Sequence, residues 1–227
     1  MSLPREIGFS VRKRSGLDMG ISGTHPLAAL SSLLLAISLL FVSGCTHAIP
    51  RFGTGGRYNE GREELIKPRG GNADKAIVAL ESVVREDPMY KDSLTLLARA
   101  YYNKGRYGDA KLILQRALAV NAEDEIGWLV LGITQLRLGE NDKGMETVRS
   151  GLTLLSKKTT EGYRGYRLWD LNGTVRTSIR RSIAVARKGL EEKENLIRTG
   201  ENILAAIDEE DWRQRIERTI EQEGFSG

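Results

Sequence analysis

From residue 72 onward, apolar side chains recur at helical spacing. Ala76, Ile77, Leu80, Val83 and Val84 stand three or four residues apart with polar residues between them. That spacing predicts an amphipathic helix ending at Asp87-Pro88. Farther along, Val175, Ile179, Ile183, Ala186, Leu190 and Ile197 advance largely by fours and threes, and Ile203, Leu204 and Ile207 continue after Gly200. Trp212, Ile216 and Ile220 form a last stripe, predicted to lie on a separate helix whose start is marked by the acidic run at 208–211. No proline follows Pro88. Proline breaks helix interiors and populates turns, so its absence over that length favours helices joined by glycine turns. A long β-domain would carry more turn chemistry and alternating apolar runs. The expected fold class is all-α.

Laying residue n over n+34 exposes an internal repeat. Leu94 meets Trp128, Leu97 meets Leu131, Ala98 meets Gly132, Gly105 meets Gly139, and Ala117 meets Gly151. One step back, Gly71 meets Gly105, Ala76 meets Ala110, and Leu80 meets Leu114. Over residues 72–157 the chain resembles the tetratricopeptide repeat. In the middle copy Leu97-Ala98, Tyr101, Gly105, Tyr107, Ala110 and Ala117 carry the likeness; in the last, Trp128, Leu131-Gly132 and Gly139. The resemblance implies a short α-solenoid of helix–turn–helix units, with Ala98, Ala110, Ala117 and Gly132 letting neighbouring helices approach. The first copy has a recognisable second helix only, Gln135 stands where an aromatic is usual, and Gly144 and Gly151 read as loosening the last helix. Two and a half copies fall below the three usually needed. Residues 158–227 are therefore expected to form a helical extension that caps the array, with a coiled-coil dimer as the alternative.

Upstream, Arg12, Lys13 and Arg14 precede an apolar and small-residue stretch at 27–42. Sixteen residues are short for a bilayer span, which needs about 20. The pattern predicts a signal peptide over residues 1–44. Val42-Ser43-Gly44-Cys45 resembles the lipobox of bacterial lipoproteins, and Cys45 is the only cysteine of the chain. The resemblance implies a thioether-linked lipid on Cys45, and Thr46 in place of aspartate implies an outer-membrane lipoprotein facing the periplasm. Residues 45–71, with Pro50, Pro68 and several glycines, read mainly as a flexible tether with a short helix near 63–67. Removing the leader lowers the net charge from +4 to +2, too little to argue for nucleic acid.

Candidate chemistry is sparse. The segment after Cys45 keeps one histidine, His47, so no imidazole pair or cluster is available for acid–base or metal work. No phosphate loop of the required spacing exists. The expectation is a protein that is not an enzyme and has no cofactor, metal or small-molecule substrate. What the tetratricopeptide likeness implies instead is a concave groove lined by the first helix of each repeat, which binds a protein partner. Asp92, Thr95, Arg99, Tyr102 and Asn103 are predicted to face it in the middle copy, and Ile126, Leu129, Ile133, Leu136 and Arg137 in the last. The apolar strip is expected to be covered by the C-terminal helices, leaving the part around Arg99 and Tyr102 open for a cell-envelope protein. An alternative site is the Arg/Tyr-rich surface of Tyr163, Tyr166, Arg176 and Arg180, suited to an anionic polysaccharide or lipid head group. The bland counterpart is that these arginines pair with Glu191, Glu192 and Glu194.

Overall fold

The computed structural model describes residues 53–161, 170–187 and 192–224. The leader, Cys45, and the segment holding Tyr163 and Tyr166 lie outside them. Among the described residues the chain forms eight helices and no strand. They are α1 (Gly53–Ile66), α2 (Ala73–Glu86), α3 (Ser93–Asn103), α4 (Tyr107–Val120), α5 (Glu125–Arg137), α6 (Asn141–Glu161), α7 (Thr174–Arg187) and α8 (Lys193–Gly224). The first six pair in sequence order, α1 with α2, α3 with α4 and α5 with α6, and the pairs stack as a helical solenoid.

Local chemistry sets the boundaries. Asn72 caps α2 by accepting from the backbone N–H groups of Asp74 and Lys75, and Asp124 caps α5 through the N–H of Gly127. Gly105 and Gly139 turn the chain after α3 and α5 at φ +72° and +83°, a left-handed conformation that glycine adopts without strain.

The array is one helix longer than its sequence suggests. Most of the segment read as a tether is α1, a 14-residue helix that buries Tyr58, Gly61, Leu65 and Ile66. Three full repeats result. The 34-residue overlay misses α1 because the loop after it spans residues 67–72, whereas the equivalent loops span only 104–106 and 138–140. Those three extra residues shift the first helix out of register. Shifted by 37 instead, Gly61 falls on Ala98 (and thence on Gly132), and Arg62 falls on Arg99.

Gly144 and Gly151 also differ from expectation. A Cβ on Gly144 would stand 2.9 Å from the backbone nitrogen of Leu136, and one on Gly151 2.6 Å from that of Leu129. These glycines let α6 lie directly against α5; close approach outweighs their poor helix propensity.

The acidic run 208–211 does not begin a new helix. α8 continues unbroken for 32 residues, roughly 48 Å at 1.5 Å per residue. Asp208, Glu210 and Asp211 each meet an arginine, namely Arg99, Arg213 and Arg62, so the charge they concentrate is compensated in place. Its last stripe is left partly bare: Ile216 and Ile220 are exposed. α7 is fastened at its start by the buried Asp170, whose carboxylate accepts from the N–H groups of Val175 and Arg176. The Asp170 N–H in turn donates to Glu210 of α8 at 2.7 Å. Asp170 thus caps α7.

Candidate functional site

The first helices of the three repeats, α1, α3 and α5, line one face of the solenoid, and α8 lies across it. Its buried Ile197, Ile203 and Ile207 join the same hydrophobic core as Leu129 and Ile133 of α5. At Gly200 the side chain of Ile133 packs directly onto the α8 backbone: a Cβ there would be 2.6 Å from Ile133 Cγ2. This covers the strip of Ile126, Leu129, Ile133 and Leu136, all of them buried.

Polar contacts from all three repeats set the register of α8. From α5, Arg137 Nη2 donates to Glu201 at 2.9 Å and Nη1 stands 3.8 Å from Glu194. From α3, the Tyr102 hydroxyl donates to Glu201 at 2.5 Å, and Arg99 Nη2 reaches both carboxylate oxygens of Asp208 at 2.7 and 2.5 Å. From α1, Arg62 Nη2 donates to Asp211 at 2.8 Å. Arg62 occupies in the first repeat the position that Arg99 occupies in the second, and their acceptors stand one helical turn apart on α8.

These surroundings move the titrating groups. Burial, reinforced by the bond to Glu201, lifts the Tyr102 hydroxyl well above the ordinary phenol range. The bonds of Arg137 to Tyr102 and Glu201 raise its guanidinium. Burial opposes the charge of Arg62, yet Asp211 and its neighbours leave the pKa raised.

The predicted partner residues therefore divide. Tyr102 lies under α8 at 7% exposure, so the part of the groove expected to stay open around Arg99 and Tyr102 is largely filled by the chain's own helix. The physical reason is charge: a helix carrying Glu201 and Asp208 neutralises the buried Arg99, which a purely apolar cover would leave unpaired. Asn103 is exposed at the end of α3. Asp92 accepts from the Tyr58 hydroxyl at 2.5 Å, and Thr95 hydrogen-bonds Asp124.

Asp92, Thr95 and Arg99 nevertheless line one open feature, a cleft of about 300 Å³ beside the first-repeat part of α8. Arg62 and Asp211 close one wall, while Asn121 and Glu125 stand on another. Lys91 is at its rim, held at φ +50° with its Nζ 4.8 Å from the ring centre of Tyr58 and 5.3 Å from that of Tyr90. The cleft can offer an incoming chain both charge signs and several hydrogen-bonding groups. Among the described residues, no group of three or more His, Cys, Asp or Glu side chains is placed to hold a metal ion.

Of the alternative site, Arg176 and Arg180 sit one turn apart on α7, and Arg176 is paired with Asp170 at 3.0 Å. Tyr163 and Tyr166 lie outside the described residues. Glu194, one expected partner of these arginines, instead faces Arg137.

Arg62 and Glu201 were not singled out by sequence, and Asp208 and Asp211 only as part of an acidic run read as a helix start. A signal existed in the acids: Glu194, Glu201 and Asp208 recur every seven residues, which places them on one face of a continuous helix. For Arg62 the signal appears only once the first repeat is shifted by 37.

Comparison with known families agrees with the geometry: the tetratricopeptide repeat family matches residues 70–132, from the loop before α2 to the middle of α5. Over that part the chain is similar to the tetratricopeptide repeat, a unit that generally mediates protein–protein interaction. No curated protein matches the chain.

Proposed function

We propose that the chain is a non-catalytic, lipid-anchored scaffold that holds a second cell-envelope protein close to the membrane. Cys45 carries the lipid, and the sequence around it supports an outer-membrane anchor facing the periplasm. The observation that carries the binding role is the groove itself. Its three repeats recognise a polypeptide helix through matched apolar and charged contacts, α8 being that helix in this chain. A partner engages what α8 leaves uncovered, the cleft floored by Thr95 and Arg99 and rimmed by Lys91, Asp92 and Asn121, with Asn103 as a neighbouring exposed contact.

Photo-crosslinking in cells tests this reading. A crosslinking residue would replace Asn121 at the cleft, Asn103 nearby, and exposed Val78 on α2 as a control. A discrete protein adduct at Asn121, absent at Val78, is expected, and mass spectrometry would name the partner. Identical adducts at all three positions, or none at Asn121, would overturn it.

A further inference from the structure

The two halves of α8 are held to the repeats by different forces. Up to Ile207 the helix seats Leu196, Ile197, Ile203, Leu204 and Ile207 in the common hydrophobic core. Past Ile207 no apolar side chain is buried among the described residues. Trp212 is half-buried and stands outside that core, and Ile216 and Ile220 are exposed. What is buried there is polar, namely Glu210, Asp211 and Gln214. Beyond the Arg99–Asp208 pair, the ties to the rest of the chain include Arg62 of α1 to Asp211 at 2.8 Å and the Asp170 N–H to Glu210 at 2.7 Å. Arg215 stands 4.0 Å from Glu63 of α1.

The energetics differ accordingly. Apolar burial is favourable in proportion to the area removed from water, so the first half gains with each side chain it seats. An ion pair taken out of water recovers little more than the hydration its two charges give up. Burial opposes the charge on Arg62, and the pKa of Arg215 is lowered by burial and by Arg62 beside it. Two guanidiniums crowd one α1–α8 junction, and their repulsion works against the seated helix.

The same junction bounds the open cleft, since Arg62 and Asp211 close one of its walls. Ile66, one turn along α1 from Arg62, lines the cleft and is buried. We infer that the stretch 209–224 is a strap that lifts from α1 while the rest of α8 stays seated, withdrawing Asp211 from the wall and opening the cleft along α1. The hinge falls at Ile207-Asp208, which join the last apolar anchor to the ion pair with Arg99. The role of the strap as a gate rests on the partner-binding reading of the cleft; its motion does not.

Hydrogen–deuterium exchange of the full chain carrying Cys45→Ser tests the motion without any partner. A released helix this short is marginal in water, so lifting lets its amides exchange. Amides of 212–220 should exchange about tenfold or more faster than those of 197–207. Asp211→Asn keeps the shape and removes the charge facing Arg62. It should speed 212–220 a further fivefold or so, and 197–207 by less than about twofold. Glu217→Gln is the control for ordinary fraying, because Glu217 pairs with Arg213 of α8 itself at 3.0 Å. It should change either stretch by less than about twofold. Adding Ile66→Cys, the sole thiol once Cys45 is replaced, reads the gate. Its labelling by maleimide should speed about fivefold when Asp211→Asn is introduced. Equal protection along α8, or equal effects of Asp211→Asn and Glu217→Gln, overturns the strap. Faster exchange of 212–220 without faster labelling at position 66 overturns its role as a gate. A missing adduct at Asn121 would instead overturn the partner reading, while the strap stands.

Discussion

Gly151→Ala should destabilise the protein although alanine is the better helix former. In an unhindered helix interior the change would gain about 1 kcal/mol. Here the new Cβ would lie 2.6 Å from Leu129 N, 2.9 Å from Leu129 Cα and 3.1 Å from the Trp128 carbonyl carbon. These are backbone atoms of α5, unable to swing aside as a side-chain tip would. Restoring an ordinary contact of about 3.4 Å or more requires the two helices to part by close to 1 Å, and gaps of that order forfeit a quarter to a half of each dispersion contact. The interface at stake includes Leu129, Leu136, Val148, Leu152 and Leu155, all buried. Overpacking of this kind costs about 1–3 kcal/mol and more where backbone is involved. Setting the propensity gain against the upper part of that range leaves a net loss of about 1–2 kcal/mol. For a folded unit of this size the melting temperature would fall by roughly 3–8 °C. Gly108→Ala is the matched control: no atom lies within 4 Å of a Cβ at Gly108, so this change should stabilise by about 0.4–1 kcal/mol. Thermal and urea unfolding followed by circular dichroism at the helix band would measure both. A higher melting temperature for Gly151→Ala would refute the close approach of α5 and α6.

Three further outcomes are expected. Asp208→Ala strands the Arg99 guanidinium, whose side chain is only 6% exposed, and should cost about 3 kcal/mol, while replacing both residues by leucine should recover most of it. A urea-unfolding double-mutant cycle would measure this coupling, and a cost below about 1 kcal/mol for Asp208→Ala would show that the pair does not hold α8 down. Burial and the bond to Glu81 push the Tyr101 hydroxyl up from 10 to about 12, so the folded chain keeps that proton longer than the unfolded one. Its contribution is therefore complete below about pH 10 and is lost as pH rises through 12; urea midpoints across pH 9–12 should fall, and less steeply in Tyr101→Phe. Cys45→Ser should move the protein from the membrane fraction to the soluble one and abolish its labelling by fatty acid; unchanged fractionation would remove the anchor from the proposed function.

The repeat was legible where its spacing was regular. Over α2 to α6, Leu80, Leu114 and Val148 recur 34 residues apart, as do Ala76, Ala110 and Gly144, because each must fill or vacate the same place between stacked helices. α1 was hidden by glycines, few large apolar residues and a longer loop. Its small Gly61 is required rather than permissive, since a Cβ there would come within 2.6 Å of Leu80. The groove residues were found by position, but their environment was not. Thr95, Arg99 and Tyr102 look like free surface polarity in one dimension and are 3%, 5% and 7% exposed in three.

By itself, then, the sequence determined the helical class, the repeat, and the single cysteine available for an anchor. These depend on side-chain period and residue chemistry, both of which act over a few residues. Only tertiary structure decided that α8 runs unbroken, that its acids at 201, 208 and 211 fall opposite Tyr102, Arg99 and Arg62, and that a cleft lined by Asp92, Thr95 and Arg99 stays open beside it. Those pairings join residues 99 to 149 positions apart. Local rules place each partner on its own helix face, but whether the faces meet depends on how the whole chain packs.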